Sequence, residues 1–202
     1  MSSITTTTIA NLALGHLGDH RIDDFDEDDP HASDIRDQWE ITRLSCLATY
    51  EWSFASKTVL LDRSGTAPLA QWLYAYDKPA DWIRTNAISD ASSFDRENIF
   101  RRWMDRGGQI QTDAATIYMD YVYDHTTIGS WPSWFVDYTA SSLAMRINPK
   151  VTTSQSHGKT MMEMTRDFLG TAKARDAQQQ PLYKPPRGNW IKARRGGWSG
   201  VG

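Results

Sequence analysis

The chain has 202 residues, enough for one domain or for one domain carrying an insertion. Hydrophobic residues make up 40% and charged residues 23%; no apolar run approaches the roughly 20 residues of a membrane helix, and MSSITTTT offers neither the basic nor the apolar region of a secretory signal. The net charge of −3 is polarised, with −7 over residues 1–50, −2 over 51–100, zero over 101–150 and +6 over 151–202, which suits charged partners or head-to-tail contact between copies.

The first predicted element is a helix over 4–17, with Ile9, Leu12, Ala13 and Leu17 on one face, hydroxyl caps in Thr5–Thr8, and Gly18 as its stop. Residues 23–29 hold six acids in seven positions and predict a solvated loop closed by Pro30. A second helix is expected at about 32–50. Its stripe is Ile35, Trp39, Cys46 and Tyr50, widened by Leu44 and Leu47. Cys46 is the sole cysteine, which excludes an intrachain disulfide and a cysteine-based zinc cluster.

From residue 56 the period changes to two. Thr58–Leu61, Trp72–Tyr76 (stopped by Pro79) and Trp82–Ala87 read as strands. Ile99–Met104, Gly107-Gly108 and Gln109–Thr112 read as a hairpin. Ala115–Tyr123 reads as a long strand with Ile117, Met119, Tyr121 and Tyr123 on one face. Together these predict one mostly antiparallel sheet of about five or six strands.

Helices then return. Trp131, Trp134, Phe135, Tyr138 and Ser142 share a face of a third helix, with Pro132 in its first turn and Asn148-Pro149 expected to break it. A fourth is expected over about 151–177, with Gly158, Met161, Thr165, Phe168 and Ala172 along a narrow seam. Residues 182–202 carry Pro/Gly clusters, two Trp and five bases without any period, and read as an extended arm. The expected fold class is therefore α+β: a four-helix bundle formed by both chain ends, an inserted mostly antiparallel β domain, and a C-terminal arm. The boundaries are 1–55, 56–124, 125–180 and 181–202.

Several chemistries fail on spacing. Gly158-Lys159-Thr160 ends like a phosphate loop, but the earlier glycine position is Thr153 and the segment is helical. An EF-hand register from Asp24 puts Asp29 at position six and Ile35 at position twelve, where Gly and Glu are needed; a weak cation site in the 23–29 loop stays open. His16 and His20 are four apart, yet Gly18 interrupts the helix between them and no H-E-x-x-H exists. His31, His125 and His157 are scattered and read as surface or capping residues. The Glu-x8-Asp-x5-Thr pattern of phage-type lysozymes is missing: nine residues beyond Glu27, Glu40, Glu51, Glu97 and Glu163 lie Arg36, Thr49, Leu60, Arg106 and Ala172. Glu40 and Glu51 read as surface charges, and no G-x-S-x-G occurs. No catalytic residue, metal or cofactor is expected. The arm interleaves Lys184, Arg187, Lys192, Arg194 and Arg195 with Trp190 and Trp198. This mixture suits a protein partner anchored by Trp and Arg, ahead of nonspecific nucleic-acid binding.

Four stretches in order carry a resemblance. They are Ile9-Ala-Asn-Leu-Ala-Leu-Gly-His-Leu-Gly18 with Ile22 and the acidic loop, and Leu47-Ala-Thr-Tyr-Glu-Trp-Ser-Phe-Ala55. Trp72-Leu-Tyr-Ala-Tyr-Asp-Lys-Pro-Ala-Asp-Trp-Ile-Arg84 and Pro132 through Ala177 complete the set. The chain resembles, over roughly residues 4–180, the tail tubular protein A or head-to-tail adaptor (connector) group of short-tailed bacteriophages. The resemblance implies a structural, non-enzymatic virion protein, made in the host cytoplasm and located at the head–tail interface. It implies a dodecameric ring that binds the portal, receives a tail tubular protein B-like nozzle, and extends the channel for double-stranded DNA. Portal contact is assigned to the arm residues named above. Some relatives act on peptidoglycan, so a virion-associated peptidoglycan hydrolase is the alternative. Pro79, Asp81 and Arg84 are expected to end a strand, cap a turn and pair with a carboxylate.

Overall fold

The computed structural model describes residues 4–68, 71–92, 94, 99, 102–151 and 155–179. Helix α1 (Thr6–Leu17) opens with a capping box. The Thr5 hydroxyl accepts the Thr8 N–H at 3.2 Å, and the Thr8 hydroxyl accepts the Thr5 N–H at 3.4 Å. Gly18 closes the helix at φ 73°, a left-handed conformation that favours glycine. The buried face is Ile9, Ala10, Ala13, Leu14 and Leu17. Leu12, expected on that face, is 38% exposed because it lies off the arc the other five define.

Helix α2 (Pro30–Ala48) is capped by Asp29, whose Oδ1 accepts the N–H groups of His31 (2.8 Å) and Ala32 (3.3 Å). Ile35, Trp39, Cys46 and Leu47 are buried as expected, whereas Leu44 points outward. Thr42 and Arg43 are buried in its stead. Both polar groups are satisfied: the Thr42 hydroxyl donates to the Gln38 carbonyl at 2.7 Å, and Arg43 has carboxylate partners.

Helix α3 (Ser133–Val151) is the central helix, and α1, α2 and α4 (Gln155–Gln179) each pack against it. Phe135, Tyr138, Ser142 and the preceding Trp131 are buried, as the stripe predicts. Pro149 lies inside α3 rather than ending it. Proline forgoes one hydrogen bond and crowds the preceding turn, a small burden two residues from the helix end. Along α4, Met161 and Ala172 are buried, Phe168 packs on the core, and the Thr165 hydroxyl reaches the Ser141 carbonyl of α3 at 3.2 Å.

The β region departs from the single sheet expected. Six described strands form two three-stranded antiparallel sheets. One is β1 (Ser56–Leu60), β6 (Tyr118–Tyr123) and β3 (Trp82–Ser89), in that order. The other is β2 (Tyr74–Asp77), β5 (Gln109–Thr112) and β4 (Trp103–Arg106). Successive strands β2 and β3 belong to different sheets, and residues 78–81 turn the chain between them, with the Trp82 N–H on the Pro79 carbonyl at 3.1 Å. Alternation identifies a strand's faces but not its partner, so the split was invisible in the sequence. Gly107 and Gly108 supply the positive φ angles of the β4–β5 hairpin turn.

Strand β6 separates two cores. Met119 and Tyr121 face a β core with Leu61, Tyr76, Ile88, Ile110 and Ile117. Val122, on the opposite face, joins the helical core. The helical core converges on Trp52, which is fully buried between α2 and β1. Its indole N–H donates to the Cys46 carbonyl at 2.9 Å, and its ring lies 4.9 Å from Tyr50, 5.2 Å from Phe135 and 5.5 Å from Trp134. Replacing Trp52 with Ala should cost about 3–5 kcal/mol in urea unfolding, through the cavity left among the aromatic rings. A loss below about 1 kcal/mol would contradict the central role of this ring.

Candidate functional site

The residues assigned to portal contact, Lys184, Arg187, Trp190, Lys192, Arg194, Arg195 and Trp198, lie outside the described residues. The site that can be built is the junction where the helices meet the first sheet, because three of the four resemblance stretches meet there. At the α2 exit, Trp52 is joined by Phe54, whose ring lies 4.8 Å from Phe135, and by the buried Ala55. A turn of 3-10 helix at Ser53–Ala55 is capped from α4: the buried Asp176 carboxylate accepts the Ser53 N–H at 3.0 Å and its hydroxyl at 2.6 Å. That contact spans 123 residues and fastens the end of α4 to the start of the β region.

The strand–turn stretch meets the junction from the other side. Arg84 pairs with Glu51 at 3.3 Å, the carboxylate contact expected of it. Asp81 does more than close a turn. It accepts Lys57 Nζ at 2.9 Å and the Tyr121 hydroxyl at 2.9 Å, linking three chain segments. Burial opposes ionisation of Asp81, but Lys57 and Tyr121 outweigh it and hold the carboxyl below its ordinary value of 3.8. The Tyr121 phenol is pushed up to about 12, first by burial and then by the Asp81 charge it bonds. Lys57 also lies 3.7 Å over the Tyr123 ring.

A second charged clasp joins α2 to the end of β6. Arg43, 5% exposed, donates to both oxygens of Asp124 and to Glu40 Oε2 at 2.8 Å. Two carboxylates around one guanidinium provide the compensation that a buried charge requires. Glu40 and Glu51 are thus surface carboxylates, as expected, each serving as an ion-pair partner.

The histidines distribute differently from their spacing. His16 lies 5.8 Å from the Phe168 ring, and burial lowers its pKa. His20, beyond Gly18, is directed instead to His31, with ring centroids 4.8 Å apart. Asp19 contacts both rings: Oδ1 is 3.0 Å from His20 Nδ1, and Oδ2 is 3.3 Å from His31 Nδ1. A search for histidines within one helix could not find this pair. The legible signal was Asp19-His20 and Asp29-Pro30-His31 bracketing one loop. That loop is tied down more than its charge implies. Asn11 bonds the Ile22 N–H and carbonyl at 2.9 Å each, Arg36 reaches the Phe25 carbonyl at 2.7 Å, and Ile22 is buried.

A surface concavity of about 400 Å³ is walled by Leu60, Leu61, Asp62, Asp77, Lys78 and Pro79, beside the junction. Another, of about 220 Å³, lies over α1 at Thr8, Asn11, Leu12 and Arg21. Among the described residues no helix is long and apolar enough to cross a membrane. No family model matches the chain, and no curated protein matches it.

The sign of the Asp81 shift gives a pH dependence. A depressed carboxyl pKa adds stability that is fully present above the unfolded value and is lost as pH falls through the folded value. The Asp81→Asn variant should therefore be less stable than the parent above about pH 4, with the difference closing as pH falls further. Parallel unfolding curves from neutral to acid pH with a constant gap would show that Asp81 does not contribute through its charge.

Proposed function

We propose that the chain is a structural subunit of a head-to-tail adaptor ring, joining a phage portal to the tail nozzle and extending the DNA channel. The observation that carries this reading is the ordered set of four resemblance stretches across residues 4–180. The contacts of their polar residues agree with it. Arg84 pairs with Glu51, and Asp81 with Lys57 and Tyr121, at the helix–sheet junction, a framework role rather than a reacting one.

In the same reading, α1 to α4 act as a four-helix bundle closed by both chain ends, with residues 56–124 as an inserted β domain. The packing of α1, α2 and α4 on α3 supports that arrangement. Such a subunit repeats around a ring, and its charge polarity supplies register. The acidic segment of one copy can meet a basic segment of its neighbour or of the portal. The arm carries portal contact through Lys184, Arg187, Trp190, Lys192, Arg194, Arg195 and Trp198. The assembly is a virion component with a dodecameric ring, and the DNA it encloses is held without sequence specificity.

Purified protein mixed with the portal of the same phage should appear by electron microscopy as a ring capping the portal. Bare portals beside a permanently monomeric chain would sink the proposal. A narrower outcome concerns the arm. A chain ending at residue 181 should keep its far-ultraviolet circular dichroism and its thermal unfolding, yet no longer dock. Docking equal to that of the full chain would remove the arm from the interface.

A further inference from the structure

The loop between α1 and α2 gathers two histidines and two aspartates from its opposite ends. Asp19 and His20 follow the Gly18 cap, and Asp29 and His31 flank Pro30 at the start of α2. One ligand-type atom from each of Asp19, His20 and His31 lies within 4.8 Å of the other two. The Asp19 oxygens are 3.0 Å from His20 Nδ1 and 3.3 Å from His31 Nδ1. Ligands bound at 2.0–2.1 Å around a tetrahedral ion sit about 3.4 Å apart, and each imidazole nitrogen lies near that spacing from one Asp19 oxygen, His20 from Oδ1 and His31 from Oδ2. Asp29 Oδ2 lies 3.7 Å from His20 Nε2, the ring nitrogen that does not face Asp19, and its other oxygen caps α2.

Two further observations separate this cluster from ordinary surface ion pairs. His31 Nδ1 is buried and makes no hydrogen bond, although Asp19 Oδ2 is near enough: the two atoms approach without the angle a hydrogen bond needs. The scaffold is also fixed before any ligand arrives. The Asp19 N–H bonds the Leu14 carbonyl at 3.0 Å, Asp19 Oδ1 accepts the His20 N–H at 2.8 Å, and Pro30 locks the entry to α2.

We propose that Asp19, His20 and His31 form a binding site for a divalent transition-metal ion of the zinc class, with water as the fourth ligand. Two imidazoles and a carboxylate suit such an ion, whereas calcium and magnesium take all-oxygen shells. The neighbouring acids of 23–29 raise the local cation concentration without being ligands. The bound ion staples the end of α1 to the start of α2 and sets the loop between them. Because the unfolded chain has no assembled site, binding adds to folding stability. This inference stands independently of the adaptor reading.

Isothermal titration of the full chain with zinc chloride at about pH 7.5, where free imidazoles are mostly neutral, tests it directly. One zinc per chain should bind saturably, and calcium at the same concentration should not. His20 is 58% exposed, so His20→Ala removes a ligand without touching the core. That variant should weaken zinc binding about tenfold or more and abolish the zinc-dependent rise in Tm. His31→Ala should do the same. The triple variant Asp24→Asn, Asp26→Asn, Asp28→Asn should keep the one-to-one stoichiometry. The proposal is overturned by any of three results: no saturable zinc uptake, equal uptake of calcium, or zinc binding unchanged in His20→Ala.

Discussion

Trp52 is the side chain on which the two halves of the molecule depend. It sits where α2 ends and the first sheet begins, and its burial forces the chain to turn there. The indole N–H joins the Thr49 N–H on the Cys46 carbonyl, so the end of α2 is tied to the core as well as to its own cap. Its ring then collects Tyr50, Phe54, Trp134, Phe135 and Tyr138 from both sides of the intervening β region. An aromatic cluster of this kind combines large buried area with edge-to-face geometry. Residues about 80 apart in sequence are thereby fixed against one another, and the strands between them begin and end at nearly the same place.

Charged contacts then orient what the aromatic cluster brings together. Hydrophobic burial is non-directional, so it cannot by itself set how the sheet meets the helices. Arg43 with Asp124, Asp176 with Ser53, and Asp81 with Lys57 and Tyr121 each join segments distant in sequence. The Arg43 and Asp176 contacts are more demanding than an exposed ion pair, since burial leaves a broken partner uncompensated, whereas Lys57 and Asp81 are both more than a third exposed. Strand β6 carries this division further. Its Tyr121 face closes the β core and its Val122 face closes the helical core, so one strand is structural for both.

Legibility followed the range of the interaction. Thr5 and Gly18 announce the ends of α1 because capping is decided within four residues. Stripes such as Ile35, Trp39, Cys46 were equally plain, but Leu12 and Leu44 were assigned to buried faces they do not occupy. Periodicity gives the centre of a face more reliably than its edges, which depend on what packs alongside. Pro149 was read as a break, although near a helix end its local penalty is small. The histidine cluster went unread for a different reason. His20 and His31 belong to different elements, and only the folding back of the acidic loop, held by Asn11 and Arg36, brings their rings together.

The sequence by itself determined the alternation of helices and strands, the caps and turns, the aromatic identity of the junction and the polarity of charge along the chain. These are set by backbone sterics, short-range hydrogen bonding and hydrophobic period, all of which act between near neighbours. The tertiary structure alone decided that the six described strands divide into two sheets, that Arg43 is buried against Asp124, and that Asp19, His20 and His31 converge. Strand pairing, the partner of a buried charge and the meeting of side chains from separate elements depend on which surfaces remain to be covered once the local elements exist. That choice is made by packing across the whole chain, and no local pattern contains it.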